Sequence, residues 1–413
     1  MKFKRLIMCI LVLSILFLET QYVVVASDLP VRLFDERKAE EVIKKVIEAA
    51  DRKEWSDFTN YMSDERQEYY NGYFSDEDMK DGIKQIREIE LKEVYKVNRE
   101  LAKGEWLSDE YPILRTCYEV YTFIVETECQ VYEENQFFYN GINYFLVVIA
   151  VENESLKVVQ FNKPSADLLS EIVLPELSKN DVEYDDKIAG IEVIKAAESG
   201  RVVNASQEEL TEGFEVIHTK QEFGVTTFAA DPPLLSHYAT YHYPKKIKVL
   251  LNKTGATKTE VVEVDMIDYL KNVLPNEWIP SWEEQALFAG AYCVKMVAIY
   301  RAIKPMDIVS GYHLSQKTQN YVPGSRLYES TSEAIDAIYN NGMSDTYGIL
   351  FFPRYEAGVS GQAGTEGSGH VKQYGTQYLA RQGWSYQKIL NYYYSGSDYS
   401  IGDVKFFSYN IGF

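Results

Sequence analysis

The pattern of apolar and polar positions changes along the first 165 residues. Apolar residues at helical spacing from Ala39 to Ala50 predict an amphipathic helix, and a second, acidic helical region is predicted around Met79 to Val97. The period becomes that of strands in Ile113 to Val125 and Ile142 to Val151, and Leu156 to Phe161 completes a hairpin. Helices followed by a curved antiparallel sheet predict an α+β fold.

The chain between residues 166 and 240 has a less regular pattern. It contains the acidic stretch Asp181 to Asp186, a helix-like stretch from Ile188 to Ala197, and a stop at Asp231-Pro232-Pro233. We interpret this segment as a linker with helices, whose acidic side chains form solvated surface.

A regular pattern returns at Lys246. Lys246 to Leu251 and Lys258 to Val264 alternate like strands around a turn at Gly255, and Met266 to Leu274 has helical spacing up to Pro275. The C-terminal part of the chain is therefore also predicted to be α+β.

The next helix has a predicted start and a predicted end. Ser281 and Glu284 form the S-x-x-E pattern of a capping box, and Pro305 stops the apolar pattern. Small and apolar side chains line one face of this helix, which predicts that it is buried: Ala286, Ala289, Gly290, Cys293, Val294 and Val297.

The N-terminus has the layout of a secretory signal. Lys2, Lys4 and Arg5 precede an apolar run from Leu6 to Leu18, and small residues end at Ala26. We predict a signal peptide at residues 1–26, with secretion of the protein. An uncleaved membrane anchor, which would be the protein's only membrane contact, is the open alternative.

Charge divides the chain of 413 residues into two parts. Residues 240–413 contain 16 basic and 16 acidic residues, so the whole net charge of −20 falls on residues 1–239. This acidity argues against a nucleic-acid binder, which needs a basic face. We predict an accessory α+β domain at 30–165, the linker at 166–240 and a separate α+β domain at 241–413.

Cysteine usage does not predict a disulfide scaffold. After signal cleavage the chain keeps Cys117, Cys129 and Cys293. A Cys117–Cys129 pair across neighbouring strands is left open by the sequence, and Cys293 is interpreted as a small buried residue.

One carboxylate has surroundings suited to acid catalysis. Glu277 lies between Pro275 and Pro280 and is flanked by the indoles of Trp278 and Trp282. Apolar neighbours raise the pKa of a carboxyl, whereas the start of a following helix lowers it. From the residues alone, a helix cap or an exposed turn residue is the favoured interpretation of Glu277, and catalysis is the alternative.

The region around Glu277 resembles the SpoIID/LytB family of sporulation protein D and amidase-enhancer proteins over residues 244–400. The resemblance is carried by ordered blocks of residues: Tyr269, Leu270, Val273, Pro275 and Glu277; Gln285 to Ala291; Gln319, Tyr321 and Gly324; Ala334, Ala337 and Gly342; Gly369, His370, Gln373, Tyr374, Gly375, Leu379, Ala380, Gly383, Ile389, Leu390, Tyr393, Tyr394 and Gly396.

The resemblance implies a peptidoglycan lytic transglycosylase without a cofactor, in which Glu277 acts as both acid and base. Such an enzyme uses the substrate's own muramic-acid hydroxyl as nucleophile, so one carboxylate suffices, whereas ordinary glycosidases need two. The resemblance also implies that 241–413 is a SpoIID-like catalytic domain, that the protein is associated with the cell wall, and that its partner is the glycan strand of peptidoglycan.

Residues around the matched blocks are candidates for substrate binding. They are Trp278, Trp282, Lys295, Gln319, Tyr321, His370, Gln373 and Tyr374. Gly290 stands where many family members have Gln, and Lys295 stands where they have Arg, which loses a bidentate grip on carboxylates.

No catalytic metal is predicted. Some family members bind zinc through a Cys/His cluster, but Cys293 is the only cysteine of this region, and His237 and His242 lie outside the matched blocks. Tyr393 and Tyr394, at helical spacing from Ile389 and Leu390, are interpreted as core residues.

The N-terminal part resembles the nuclear transport factor 2-like cone only in the order of its elements. We interpret it as a spacer or docking domain. The alternative function from another class is a non-catalytic wall module that binds or enhances an amidase, because an acidic domain is suited to docking a basic hydrolase.

Overall fold

The computed structural model describes residues 34–77, 79–107, 111–135, 137–178, 183–199, 214–219, 240–251, 260–345, 351–397 and 402–411. The predicted signal peptide, the stop at Asp231-Pro232-Pro233, His237 and the turn at Gly255 lie outside the described residues.

The N-terminal part begins with the helices α1 (Glu36–Arg52), α2 (Trp55–Asn60) and α3 (Asp64–Ser75). Helix α1 is the predicted amphipathic helix. The Asp35 side chain accepts from the Lys38 N–H at its start, and Lys53 ends it in the left-handed conformation, with a φ of 58°. The apolar face of α1 packs onto a sheet that follows it in the chain.

That sheet is an antiparallel meander in the order β1 (Ile86–Lys96), β2 (Val120–Val131), β3 (Gly141–Glu152) and β4 (Ser155–Asn162). The predicted hairpin between the last two strands is confirmed, with its turn at Asn153 and Glu154. Strands β2 and β3 are buried on both faces, which explains their long apolar runs.

The second face of the sheet is covered by helices. They are α4 (Arg99–Ala102), α5 (Ile113–Thr116), α6 (Ala166–Ile172) and α7 (Tyr184–Ser199). Helix α7 confirms the helix predicted from Ile188 to Ala197, and its Ile191 and Ile194 pack against β3 residues such as Ile142.

Two predictions for this part are wrong. The region Met79 to Val97 is not helical: a single 3-10 turn at Gly82–Gln85 leads directly into β1. Register shifts between Ile86 and Glu88 and between Leu91 and Glu93 interrupt the strand pairing, so Ile86 and Ile89 share a face at a spacing that imitates a helix. The predicted strand from Ile113 begins instead with the short helix α5.

The C-terminal part has more, shorter strands around a helical core. Its strands are β5 (Phe214–Thr219), β6 (Thr240–Pro244), β7 (Lys246–Leu251), β8 (Glu260–Asp265), β9 (Leu314–Ser315), β10 (Asn341–Ser344), β11 (Arg354–Glu356), β12 (His370–Lys372) and β13 (Lys405–Ile411). Its helices are α8 (Met266–Glu277), α9 (Glu284–Ile303), α10 (Glu329–Ile338), α11 (Gln373–Arg381) and α12 (Tyr386–Tyr394). The sheets have the orders β8-β7-β9, β10-β13-β5-β6 and β11-β12.

Helix α9 is the centre of the C-terminal core and contacts the other helices of this part. Among the described residues it is the helix that is long and apolar enough to cross a membrane by length and composition, yet most of it is buried inside the protein. The burial predicted for this helix from its sequence is confirmed, and its small side chains allow neighbouring helices to approach closely.

A loop from the C-terminal part enters the N-terminal core. Residues 306–313 connect α9 to β9 and form a small hairpin closed by the Asp307–Tyr312 bridge. Ile308 and Val309 at its tip are buried among the apolar residues that α1 and the four-stranded sheet contribute. The two parts of the chain therefore share a core.

The α+β class is confirmed by these elements. The domain boundaries and the likeness of the N-terminal part to the nuclear transport factor 2-like cone stay predictions. The disulfide that the sequence left open is not formed: Cys117, Cys129 and Cys293 are free thiols, and Cys293 is buried as predicted.

The contact between α7 and β3 leads to a stability prediction. A Cβ at Gly190 would lie 2.5 Å from the Ile142 carbonyl oxygen, so Gly190→Ala must push α7 off the sheet. We expect a loss of about 1–3 kcal/mol in the free energy of unfolding, measured with urea. Gly72→Ala in α3, where a Cβ meets nothing within 4 Å, is the matched control and should gain about 0.5–1 kcal/mol. Equal effects at the two glycines would contradict this packing.

Candidate active site around Glu277

Glu277 is the last residue of α8. The sequence predicted that Pro275 ends this helix and leaves Glu277 in a turn, but Pro275 lies inside the helix and Trp278 follows as its C-cap. The carbonyl end of a helix disfavours a negative charge, so this position makes ionisation of Glu277 harder.

The predicted capping box at Ser281 and Glu284 is not formed. Helix α9 has Glu283 as its N-cap, and the Glu283 N–H donates to the Gln377 side-chain oxygen at 2.8 Å. A partner from α11 thus replaces the local cap, which a sequence pattern cannot anticipate.

Two amide groups hold the Glu277 carboxylate. The Asn320 backbone N–H donates to Oε1 at 2.8 Å. The Gln373 side-chain NH₂ donates to Oε2 at 3.1 Å and to the Glu277 backbone oxygen at 2.9 Å. Glu277 and Gln373, which are far apart in the chain, are therefore neighbours in the fold.

Burial dominates the ionisation of Glu277. It raises the pKa of the carboxyl above its ordinary value, although the hydrogen bonds from Asn320 and Gln373 lower it. The negative charge of Glu277 in turn contributes to the raised pKa values of the Tyr269 and Tyr355 phenols. A carboxyl with a raised pKa keeps its proton to higher pH and can donate it to a leaving oxygen.

The Asn320 segment is fastened to α8 by two asparagines. Asn272 donates to the Val322 carbonyl at 2.8 Å and accepts from the Val322 N–H at 2.9 Å. Asn276 donates to the Asn320 carbonyl at 3.2 Å. The Asn320 N–H, which donates to Glu277, is thus attached to α8, the same helix that carries the carboxylate.

Trp278, the residue after Glu277, is buried in the core beneath the site. Only 1% of it is exposed, and its indole N–H donates to the Thr376 hydroxyl at 3.1 Å. The indole also lies edge-on to Tyr355, with ring centroids 5.1 Å apart, and directly on Gly290. The departure from the family pattern at Gly290 makes room for this indole.

Gln319 is a buried connector. Its side-chain oxygen accepts from the Tyr269 hydroxyl at 2.8 Å, and its NH₂ donates to the Val294 carbonyl at 3.0 Å and to the Tyr355 hydroxyl at 3.3 Å. Tyr321 is also buried and stacks on Tyr269. These placements give Gln319 and Tyr321 a supporting position under the site, where a sugar does not reach them.

Lys295 is fully buried inside the C-terminal core. Its ammonium donates to the backbone carbonyls of Ile338, Tyr339 and Asn341, at the end of α10 and the start of β10. Burial lowers the pKa of Lys295 well below its ordinary value. The expected contact with substrate does not fit this placement, because no part of the side chain reaches the surface.

Partly exposed aromatic side chains adjoin Gln373. Tyr374 follows it at the start of α11, and the rings of Trp282 and Tyr374 lie 5.2 Å apart. His370, also partly exposed, lies on β12, where it pairs with Arg354 of β11. Of the predicted binding residues, Trp282, His370, Gln373 and Tyr374 thus keep surface available to a ligand.

A glycine-rich loop at 357–369 leads into β12, and the sequence analysis did not single it out. Two tyrosines of α12 hold it, since Tyr392 and Tyr393 donate to the carbonyls of Gly364 and Ala363, and Tyr394 donates to the Arg354 carbonyl of β11 just before the loop. The core placement predicted for Tyr393 and Tyr394 is confirmed. The regular glycine spacing was the available signal for the loop.

Comparison with known proteins relates this site to a family. Residues 254–349 match the family model SpoIID, stage II sporulation protein. The match contains Glu277 and Asn320 and ends before Gln373, and it confirms the family resemblance for this region. A SpoIID domain relates the chain to sporulation and to the cell wall, and the family is associated with cell-wall lysis. No curated protein matches the chain.

The packing of Trp278 on Gly290 leads to a second stability prediction. A Cβ at position 290 would lie 2.5 Å from the indole, so Gly290→Ala should lower the free energy of unfolding by about 1–3 kcal/mol. Trp278→Leu is also expected to destabilise, but the double variant should lose less than the sum, because the clashing ring is absent. Urea unfolding of the four proteins measures this coupling, and strictly additive losses would show that the two side chains do not compete for space.

Proposed function

We propose that the chain is an exported lytic transglycosylase that cleaves peptidoglycan glycan strands, with Glu277 as its acid and base. The single observation that supports this proposal is a half-buried carboxyl with a raised pKa that is held by two amides. Neither of these holding groups is an acid.

The identity of the holding groups bears on the reaction type. In a retaining glycosidase a second carboxylate lies about 5–5.5 Å from the acid and attacks the sugar, and in an inverting enzyme it activates water. Here the groups that hold Glu277 are the amide of Gln373 and the backbone N–H of Asn320, and neither is a carboxylate. This arrangement supports a reaction in which the substrate supplies the nucleophile.

In the proposed reaction Glu277 first donates a proton to the substrate and then accepts one from it. The protonated Glu277 oxygen donates its proton to the glycosidic oxygen as the bond from that oxygen to the muramic C1 breaks. The C6 hydroxyl of the same muramic residue attacks C1 and gives its proton to the Glu277 carboxylate. The products are a free sugar hydroxyl and a 1,6-anhydro end, the acid is regenerated, and no water is consumed.

Exposed groups near Gln373 are suited to holding the strand. Aromatic faces such as those of Trp282 and Tyr374 stack on sugar rings, and a phenol hydrogen-bonds to sugar hydroxyls. We assign these two residues, with Gln373 and His370, to substrate binding. Trp278, Gln319, Tyr321 and Lys295 are assigned instead to holding the site in shape.

The removal of the acid is the first test. Glu277→Gln keeps the size of the side chain but cannot transfer the proton, so we expect at least a 100-fold loss of anhydro-ended products from purified glycan strands, within the ~10²–10⁴-fold range of acid–base catalysis. The exposed Glu284→Gln, at the start of α9, is the matched control and should retain activity. Unchanged turnover in Glu277→Gln would exclude Glu277 as the acid.

Wild-type protein that binds an amidase and cleaves no glycan would favour the non-catalytic wall module.

The pH dependence gives a second test. The Gln373 hydrogen bond stabilises the ionised form of Glu277, so Gln373→Leu should raise the pKa of Glu277 further. Because the acid must be protonated, activity falls as the pH rises through this pKa, and the alkaline limb of the pH–rate profile should move to higher pH in Gln373→Leu. Gln382→Leu, at an exposed position just after α11, is the control and should keep the wild-type profile. A limb that moves to lower pH would contradict this role of Gln373.

A further inference from the structure

The hairpin at residues 306–313 connects the two parts of the chain through buried contacts. Its tip residues Ile308 and Val309 are fully buried in the N-terminal core. The Val309 carbonyl accepts from the Ile83 N–H at 2.8 Å, and the backbones meet so closely that a Cβ at Gly82 would lie 2.2 Å from this carbonyl oxygen. Since Gly82 also has a φ of +72°, the contact is specific to glycine.

A buried ion pair fixes the same hairpin. Arg66 of α3 donates to the Asp307 carboxylate at 2.5 Å, and the two side chains are 12% and 1% exposed. Asp307 also accepts from the Tyr70 hydroxyl at 3.2 Å, from the Val309 N–H at 2.9 Å and from the Ser310 hydroxyl at 2.7 Å. A buried carboxylate with this many donors is well satisfied, and removal of its cation leaves a buried charge uncompensated.

The chain runs from this hairpin directly to the site. The Nδ1 atom of the His313 ring accepts from the Lys248 backbone N–H at 3.0 Å. The His313 backbone N–H donates to the Lys248 carbonyl at 2.9 Å. Strand β9 then pairs with β7, and the Gln316 N–H donates to the Leu250 carbonyl at 3.0 Å. Asn320, which donates to the Glu277 carboxylate, follows four residues later.

A second contact holds β7 from the N-terminal side. The Lys248 ammonium forms an ion pair with Asp81 at 2.8 Å, and Asp81 directly precedes the glycine that touches the hairpin. The start and the middle of the segment 306–320 are therefore both attached to the N-terminal part.

We propose that Arg66 and Asp307 are positioning residues of the Glu277 site: by fixing residues 306–320, the N-terminal part holds the Asn320 N–H against the carboxylate. This inference rests on the proposed function only for the role of Glu277 as acid. It gives the N-terminal part a task that a spacer does not have.

Hydrogen exchange tests the inference without any substrate. Arg66→Met removes the cation but keeps an apolar chain of similar length. We expect amide exchange to rise about 10-fold both in the hairpin at 306–313 and in residues 316–322, as followed by mass spectrometry of the full chain. Arg37→Met, which removes an exposed ion pair with Asp35, is the control and should leave both stretches unchanged.

The extent of the change decides the outcome. Faster exchange in the hairpin alone, or in neither stretch, would overturn the inference, because the N-terminal anchor would then not reach Asn320. If Arg66→Met does not fold, Tyr69→Phe takes its place, since it removes only the 2.7 Å hydrogen bond to the Ser310 hydroxyl. A smaller rise in both stretches is expected for Tyr69→Phe, and a rise in the hairpin alone would again overturn the inference.

The pH–rate profile separates positioning from plain destabilisation. Loss of the Asn320 hydrogen bond removes a stabilisation of the Glu277 anion, so in Arg66→Met the alkaline limb should move to higher pH and kcat should fall about 10-fold at an unchanged KM. Arg66→Lys, which keeps the charge, should recover part of both changes. A variant that is less stable but has the wild-type profile below its melting temperature would contradict the positioning role. The exchange experiment needs no glycan, so it tests the positioning role even if the protein does not cleave glycan strands. Absence of glycan cleavage by the wild-type protein would contradict the proposed function alone.

Discussion

The hydrogen bonds that hold the Glu277 carboxylate are the constraint on which the candidate active site depends. The Asn320 N–H and the Gln373 amide each hold one of its oxygens, so the carboxylate is oriented as well as partly buried. Burial raises the pKa of Glu277 and the two hydrogen bonds lower it, with burial the larger effect, so the group keeps its proton to a higher pH than an exposed glutamate does. Each holding group comes from a distant segment, so the site exists only when α8, the Asn320 segment and α11 are assembled.

The rest of the C-terminal core serves this assembly. Helix α9 carries Gly290, on which Trp278 lies, and Lys295, which holds the end of α10 by its backbone carbonyls. Tyr392 and Tyr393 of α12 hold the glycine-rich loop that leads towards Gln373. The N-terminal part adds the anchor at Asp307, so a chain that is strongly acidic in one part and neutral in the other still folds around a shared core.

Sequence patterns predicted the α+β class and elements such as α1, α7 and α9, because each has an uninterrupted apolar period. Strand β1 was missed because its bulges place Ile86 and Ile89 at a helix-like spacing on one face. In the site, the family resemblance pointed to Glu277 and Gln373, which the structure brings together. Asn320 acts through its backbone, which no side-chain pattern encodes, and the buried positions of Lys295 and Gln319 depend on contacts between distant segments.

The central claim is tested most directly by identifying the oxygen that bonds to C1 of the cleaved sugar. Purified glycan strands are digested in water enriched in ¹⁸O, and the product ends are weighed by mass spectrometry. If the substrate's own hydroxyl attacks, the new ends are anhydro sugars that carry no ¹⁸O, because no water enters the reaction. Reducing ends with one ¹⁸O atom each would show hydrolysis and would contradict a site that works with Glu277 as its single catalytic carboxylate.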